Sequence, residues 1–215
     1  MIPGFWIAVS GLALVLFLML HLGGVTLALV DAAAFESYAA ALHQQVWLPW
    51  LEAALAGTAL IHPFLSLRRT VANRQARGPA AGPLRSRRQG PWEPLAALAA
   101  RAIPWSGALM LLFLILHIAQ LRWDRPPAGM ELTAVLAALR APWSLALYVA
   151  AGASLGLHLL HGGESAVRRL GLLAPATATS LRQAGRGLAL LLGGGFALLP
   201  VALVLAARAA ADVGG

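Results

Sequence analysis

The chain has 215 residues, of which 60% are hydrophobic and only 11% are charged. A soluble domain carries about 25% charged residues, so this composition indicates an integral membrane protein. The absence of cysteine excludes disulfides, thiolate metal ligands and iron–sulfur clusters held by this chain. The net charge of +8 comes from arginine without lysine, and the arginines lie mostly between apolar runs. This placement favours a role in membrane topology over nucleic-acid binding.

Apolar runs of about 20 residues, the length that crosses a bilayer, predict five transmembrane helices. The fold class is therefore an all-α membrane protein in which four helices form an up-and-down bundle and the fifth packs against it. The predicted ranges are about 5–30, 46–67, 102–121, 142–163 and 187–207 within a single domain, 1–215. Residues 31–45 and 122–140 are predicted to be connections, and residues 68–90 a basic loop.

Most of the arginines fall between the second and third and between the fourth and fifth predicted helices. They are Arg68, Arg69, Arg74, Arg77, Arg85, Arg87 and Arg88, followed by Arg168, Arg169, Arg182 and Arg186. The positive-inside rule places these two loops and the N-terminus in the cytoplasm. Arg168 and Arg169 could also reach the propionates of a bound haem, although topology alone explains them.

Two stretches of the chain are nearly identical. Residues 10–21 read SGLALVLFLMLH and residues 106–117 read SGALMLLFLILH. Each begins with a Ser–Gly pair and ends on a histidine, His21 in the first and His117 in the second. Because an imidazole inside such an apolar run is costly in a membrane, it indicates a functional site.

Four histidines occupy similar depths in the first four predicted helices, about 15 or 16 residues from the start of each: His21, His62, His117 and His158. Because successive helices alternate in direction, His21 and His117 share the outer half of the membrane. His62 and His158 share the inner half, ~12–16 Å away at 1.5 Å per residue. Two pairs of imidazoles from facing helices suit the axial positions of two six-coordinate haems, an arrangement for electron transfer.

Glycines near these histidines support the haem hypothesis. Gly11 and Gly107 lie ten residues before their histidines, and Gly57 and Gly152 lie five and six residues before theirs. A flat macrocycle needs a surface without side chains, which glycine provides. One buried histidine alone is more often a hydrogen-bond partner between helices, so the shared depth of all four carries the hypothesis.

Two further residues have two interpretations each. His161, three residues after His158, could replace it as a ligand or contact a haem propionate. Glu52 is either an interfacial carboxylate in water or a proton acceptor beside a quinone. His43 is expected to be solvated in the first outer loop.

Four motifs point to a known family. They are the Ser10-Gly11 and Ser106-Gly107 pairs, similar to a family Thr-Gly; HPFLSLRR from His62; HLLHG from His158 with Gly171 thirteen residues after it; and the segment 33–43. With these, nearly the whole chain resembles the five-helix dihaem cytochrome b subunit of succinate:quinone oxidoreductases, the succinate dehydrogenase and menaquinol:fumarate reductase group.

The resemblance implies that His21 and His117 bind a distal haem b and that His62 and His158 bind a proximal haem b. It implies that no catalytic residue lies in this chain, because the dicarboxylate chemistry belongs to a flavoprotein partner. That partner and an iron–sulfur subunit would bind the cytoplasmic face. Electrons would pass through both haems to or from a quinone, expected to be menaquinone, near the outer face of the bacterial cytoplasmic (inner) membrane. Dimerisation of the complex is left open.

The chain departs from the family pattern at two positions. Gly156 stands where some fumarate reductases carry a glutamate proposed for proton transfer, and Glu52 does not match the family's quinol-site glutamate. Two alternatives remain. One is the cytochrome b of another quinone-linked dehydrogenase, which usually places its haems on fewer helices. The other is a haem-free transporter or proton relay that uses the buried histidines.

Overall fold

The computed structural model describes residues 2–77, 90–123 and 125–213. These residues form seven α-helices and no β-strand. The helices are α1 (Ile2–Val30), α2 (Ala32–His43), α3 (Leu48–Arg77), α4 (Glu93–Ile118), α5 (Glu131–Leu139), α6 (Pro142–Arg169) and α7 (Ala178–Val213). A π-helical turn, Ala119–Trp123, continues α4.

Five of these helices are long and apolar enough to cross a membrane: α1, α3, α4 with its π-helical turn, α6 and α7. The predicted all-α architecture with five membrane helices is therefore confirmed. Helix α6 packs along α4 and α7, and α1 packs against α3, α6 and α7. The fifth long helix, α7, thus packs mainly along α6 and also against α1.

The long helices extend beyond the apolar runs that predicted them. Helix α3 continues ten residues past its predicted end, to Arg77, and α6 reaches Arg169. Helix α4 already begins at Glu93, and α7 covers Ala178–Val213. The predicted ends were wrong because hydropathy marks the membrane core, whereas Ala, Arg and Gln continue a helix into water. The rest of the predicted basic loop, 78–89, lies outside the described residues.

The two predicted connections contain short helices instead. Asp31 caps α2 by accepting a hydrogen bond from the Ala34 N–H at 3.0 Å. The carboxylate of Glu36 in α2 accepts bonds from the backbone N–H groups of Glu131 and Leu132 at the start of α5, at 3.1 and 2.9 Å. Helices α2 and α5 therefore cover one end of the bundle, which we call the capped end. The opposite end, where α3 and α6 end in arginines, is the arginine end.

Glycines let α6 and α7 approach closely. A Cβ atom added at Gly193 of α7 would lie 2.8 Å from the backbone nitrogen of Gly156 in α6. A Cβ atom added at Gly152 would collide with the backbone of Phe196 and Ala197. Small residues at such crossings allow the backbones to touch. Gly152 therefore packs against α7, and its predicted contact with a macrocycle stays a prediction.

Candidate functional site

The four histidines singled out by their depth meet in two pairs. The ring centroids of His21 (α1) and His117 (α4) are 6.0 Å apart, with the ring planes at 76°. The centroids of His62 (α3) and His158 (α6) are 6.3 Å apart, with the planes at 63°. The pairing is the one that the sequence predicts. Each pair joins diagonally placed helices, and each of the four helices supplies one ring.

The two pairs lie at separate levels of the bundle. Ser10 is eleven residues before His21 on α1, and its Oγ lies 3.0 Å from Nδ1 of His62. The His62–His158 pair is therefore at the depth of Ser10, about 16 Å along the helix axis from His21. We call this pair the arginine level, after the nearer end of the bundle, and the His21–His117 pair the capped level.

At the capped level, a chain of polar side chains supports His117. Its Nδ1 lies 3.1 Å from the hydroxyl of Tyr148. That hydroxyl donates to Oε1 of Gln120 at 3.1 Å, and Nε2 of Gln120 donates to the Ser144 hydroxyl at 3.1 Å. The tyrosine hydroxyl donates its single proton to Gln120, so toward His117 it acts as the acceptor. The Nδ1–H of His117 therefore donates to the tyrosine oxygen. The other ring nitrogen, Nε2, then carries the free lone pair.

Aromatic rings hold His21 and His117 from the sides. His21 stacks on Phe17, one turn earlier in α1, at 5.3 Å, and on Phe196 of α7 at 5.9 Å. Phe113 stacks on His117 at 5.3 Å. The apolar rings exclude water from the capped level and fix the orientation of both imidazoles.

At the arginine level, serines approach both rings. Ser10 Oγ lies 3.0 Å from Nδ1 of His62, and Ser106 Oγ lies 3.2 Å from Nδ1 of His158. In both rings the polar partner is at Nδ1, so Nε2 is the nitrogen available to a metal.

Three of the four predicted glycines have an open or ring-facing surface. A Cβ atom at Gly11 would lie 3.1 Å from Cε1 of His62, and one at Gly107 would lie 3.6 Å from Cε1 of His158. A Cβ atom at Gly57 would meet nothing within 4 Å. Gly11 and Gly107 thus leave room for the histidine of the neighbouring helix, and contact between a macrocycle and any of these glycines stays a prediction.

The spacing within each pair suits one metal ion between two imidazoles. Two metal–nitrogen bonds of about 2 Å, and about 1.2 Å from each nitrogen to its ring centre, give roughly 6.4 Å between centroids. The observed 6.0 and 6.3 Å are close to this sum. Two opposed nitrogen donors fall short of the four ligands of a bare structural zinc ion but fill both axial positions of a haem iron. The residues present therefore fit a haem at each level.

Two other predicted candidates lie in different surroundings. His158, not His161, faces His62, and Nε2 of His161 instead lies 3.4 Å from Ser165 Oγ within α6. His43 belongs to α2, and its Nδ1 lies 3.4 Å from the buried carboxylate of Glu131. The expectation of a solvated loop histidine was wrong because residues 32–43 form a helix that α5 covers.

Glu52 forms ion pairs rather than standing alone. Arg122 Nε donates to Oε1 of Glu52 at 2.7 Å, and a second bond joins the Arg122 guanidinium to Oε2. Arg125 approaches the same carboxylate at 3.4 Å. These contacts correct the view of Glu52 as a carboxylate in water, and its role as a proton acceptor stays a prediction.

Sequence reasoning missed the polar partners of the histidines. The repeat marks Ser10 and Ser106 only as small residues, and no sequence motif marks Tyr148. One pattern could have revealed the serines: Ser10 and His62 are separated by 52 residues, and so are Ser106 and His158. This equal spacing indicates that the repeat covers two helices in each copy: the pair α1 and α3 corresponds to the pair α4 and α6.

Taken together, the fold and the site define a multi-pass helical membrane protein with two levels of paired histidines. Comparison of the chain with protein-family models, with curated proteins and with solved structures found no match.

Proposed function

We propose that this chain is the membrane-anchor cytochrome b subunit of a succinate dehydrogenase or fumarate reductase complex. In this role it passes electrons through two b haems between an iron–sulfur subunit and membrane quinone. The observation that carries the proposal is the pair of opposed histidines at each of two levels, with ring centroids 6.0 and 6.3 Å apart.

Each residue of the site has a specific part in this function. Nε2 of His21 and His117 would hold one haem iron, and Nε2 of His62 and His158 the other. Haem bound in this way supplies reversible one-electron chemistry. With a histidine from each of two helices holding the iron, such a group would favour electron transfer over oxygen binding. The levels, about 16 Å apart along the helix axis, divide the ~30 Å apolar core into shorter steps.

The orientation and the partners follow from charge and from the resemblance. Arginines at the arginine end, including Arg68, Arg69 and Arg168, favour the cytoplasmic side for that end. The flavoprotein and iron–sulfur subunits would bind there, and the capped end would face outward in the bacterial inner membrane. Quinone, expected to be menaquinone, would exchange electrons at the capped level, with Glu52 as a candidate residue of its site.

A haem-free proton relay is the second candidate. The hydrogen-bonded series from His117 through Tyr148 and Gln120 to Ser144 favours it, because linked polar groups inside a membrane bundle can pass protons. This alternative predicts no haem in the purified chain and dependence of transport on His117.

The deciding experiment is haem content with a reduced-minus-oxidised spectrum of the purified protein. We expect two b haems per chain. His21→Ala and His117→Ala should each remove the same haem, and His62→Ala and His158→Ala should each remove the other. His43→Ala and His161→Ala are matched controls outside both pairs and should retain two haems. A protein without haem would reject the electron-transfer function in favour of the relay.

The partner assignment needs a separate measurement. An affinity-tagged chain expressed in its native membrane should retain a flavoprotein and an iron–sulfur protein through detergent purification. The purified assembly should reduce its haems on addition of succinate. A two-haem protein whose haems respond to another donor, such as hydrogen or formate, would retain the electron-transfer role and replace the dicarboxylate partner.

A further inference from the structure

Each serine of the repeat lies within hydrogen-bond distance of a histidine at the arginine level, whereas the histidine on its own helix belongs to the capped level. Ser10 lies on α1 with His21, but its hydroxyl meets His62 on α3 at 3.0 Å. Ser106 lies on α4 with His117, but its hydroxyl meets His158 on α6 at 3.2 Å. Helices α1 and α4 therefore each contribute an imidazole to the capped level and a hydroxyl to the arginine level.

The direction of these hydrogen bonds follows from the neighbouring carbonyls. Ser10 Oγ lies 2.7 Å from the carbonyl oxygen of Trp6, and Ser106 Oγ lies 3.2 Å from that of Ile103. A carbonyl only accepts, so each serine donates its single proton to the backbone of its own helix. The oxygen lone pair is left to accept from the imidazole, which places the proton of the histidine on Nδ1.

We propose that Ser10 and Ser106 are positioning residues that hold His62 and His158 with Nδ1 protonated and Nε2 directed to a haem iron. The inference rests on the proposed function and adds to it. The affinity and potential of the haem at the arginine level depend on hydroxyls from the two helices that ligate the other haem. Such outer partners fix the tautomer of a ligating histidine and raise its basicity.

The two serines are not equivalent. Ser10 is only partly buried. Among the described residues, the Ser106 hydroxyl is the hydrogen-bond acceptor that faces Nδ1 of His158. Ser106 is also buried, with 4% of its surface exposed, so water does not replace a lost hydroxyl there. The effect of removing the serine is therefore larger at Ser106 than at Ser10.

Ser10 and Ser106 contact histidines of the arginine level only. At the capped level, His117 uses Tyr148 as its acceptor, and His21 is held by the rings of Phe17 and Phe196. The haem at that level serves as an internal reference in the same molecule.

The test uses the purified protein or complex carrying Ser106→Ala, Ser10→Ala or Ser106→Thr. The matched control is Thr26→Val. Thr26 lies on α1 and donates to the Leu22 carbonyl at 2.6 Å, as Ser10 donates to a carbonyl of the same helix. Unlike Ser10, Thr26 has no hydrogen bond with a histidine among the described residues. Haem per chain and both midpoint potentials are measured by redox titration. The His62→Ala and His117→Ala variants assign each potential to a level.

Removing the acceptor makes the imidazole less electron-rich and favours ferrous iron. In Ser106→Ala we expect the ferrous-to-ferric ratio of the arginine-level haem to rise about three- to tenfold at fixed potential, where tenfold corresponds to 59 mV for one electron. Retention of that haem should weaken by about 10–100-fold. Ser10→Ala should show a smaller change, and Ser106→Thr should restore the wild-type potential. The capped-level haem and the Thr26→Val protein should be unchanged.

Three results would overturn the inference. In a two-haem protein, an unchanged arginine-level haem in Ser106→Ala rejects it and leaves the proposed function intact. Equal shifts of both haems in Ser106→Ala and in Thr26→Val would indicate general loosening of the bundle. A wild-type chain without haem would reject the proposed function and this inference together. If Ser106→Ala does not assemble, Ser106→Cys, whose sulfur is only a weak acceptor, takes its place.

Discussion

The hydroxyl oxygen of Tyr148 on α6 lies 3.1 Å from Nδ1 of His117 on α4. The same hydroxyl donates to Gln120, so the tyrosine accepts the imidazole proton and keeps Nε2 of His117 free. This contact links two neighbouring helices at the capped level. It also decides which nitrogen of His117 is available as a ligand.

If each histidine pair holds a haem as proposed, Tyr148→Phe should weaken haem binding at the capped level alone. The substitution removes the acceptor of the His117 proton but keeps the ring, which packs edge-on against Phe113 at 4.8 Å. Loss of such an outer partner costs about 10–100-fold in metal affinity. Transfer of haem to an excess of apomyoglobin would measure the rate of loss from each level.

Tyr38→Phe is the control for that experiment, because Tyr38 is an exposed tyrosine of α2 that packs on Gly24. It should leave both rates unchanged. Equally faster loss from both levels in Tyr148→Phe would show that the tyrosine stabilises the bundle as a whole instead of positioning His117.

Gly11→Ala should disturb the arginine level. The added Cβ atom would lie 3.1 Å from Cε1 of His62, closer than ordinary contact, so the ring must shift. We expect loss of the arginine-level haem from the reduced-minus-oxidised spectrum while the capped-level haem remains. Gly107→Ala, at 3.6 Å from His158, should have a milder effect.

Gly163→Ala is the matched control, since a Cβ atom there meets nothing within 4 Å. It should retain both haems. Retention of both haems at unchanged potentials in Gly11→Ala would mean that His62 does not need the space beside Gly11.

The histidine pairing could be predicted from the sequence because it depends on simple geometry. Apolar run length fixes each span, 1.5 Å per residue fixes each depth, and alternating direction pairs His21 with His117 and His62 with His158. The contact of Gly152 with α7 also has a geometric reason. Six residues at 3.6 per turn place it about 120° around the helix from His158, on the face that α7 covers.

Gly152→Ala should destabilise the α6–α7 packing. The new Cβ atom would lie 2.6 Å from the carbonyl carbon of Phe196, and backbone cannot move aside as a side chain can. Overpacking of this kind costs about 1–3 kcal/mol, occasionally more. Thermal unfolding in detergent, followed by haem absorbance, would show a lower midpoint. Gly194→Ala, where a Cβ atom meets nothing within 4 Å, should unfold like the wild type.

Helices α2 and α5 could not be predicted from hydropathy, because they are short and lie outside the apolar runs. Their contact depends on tertiary partners that are distant in the sequence. Glu36 accepts from the backbone of Glu131 and Leu132, and Glu131 is 6% exposed beside His43. A composition of mixed charges does not reveal which carboxylate meets which helix end.

The Glu36–Glu131 contact should depend on pH. Burial and a hydrogen bond to Glu131 raise the pKa of Glu36 above its usual 4.5. Burial would raise the pKa of Glu131 too, but hydrogen bonds from Glu36 and from the Gly129 N–H outweigh it and lower that pKa. Between the two folded pKa values the pair therefore holds one proton, carried by Glu36.

The stabilisation from Glu36 is complete below its unfolded pKa and is lost as the pH rises through its raised folded pKa. The stabilisation from Glu131 is present above its unfolded pKa and is lost as the pH falls through its lowered folded pKa. Docking of α5 on α2 should thus be firmest between the two folded values and weaken toward neutral pH.

Glu36→Gln should remove the alkaline limb of this dependence, because an amide donates to Glu131 at any pH. Hydrogen exchange at the Leu132 amide, measured as a protection factor between pH 5 and 8, would decline in the wild type and remain level in the variant. Parallel declines in both proteins would contradict a shared proton. Glu93→Gln, in the first turn of α4, controls for the loss of a carboxylate.

The ion pair between Glu52 and Arg122 should tolerate exchange of the two charges better than reversal of either charge alone. Glu52→Arg alone would gather three guanidinium groups, and Arg122→Glu alone would oppose two carboxylates. The double exchange restores an opposite-charge contact between α3 and the π-helical turn. Because both side chains are partly exposed, 31% and 46%, we expect a coupling of about 0.2–1 kcal/mol in a double-mutant cycle of thermal unfolding.

The double exchange also tests whether Glu52 accepts protons. If its role is the ion pair alone, the exchanged protein should retain quinone-dependent oxidation of its reduced haems, because the contact is restored. The double exchange moves the carboxylate to position 122, so a second variant, Glu52→Gln, tests a role as proton acceptor. If Glu52 accepts protons from a quinol, Glu52→Gln should abolish quinol-dependent reduction of the haems at full haem content. Normal quinol-dependent reduction in Glu52→Gln would remove Glu52 from the quinone site, since a glutamine cannot serve as the base that quinol oxidation requires.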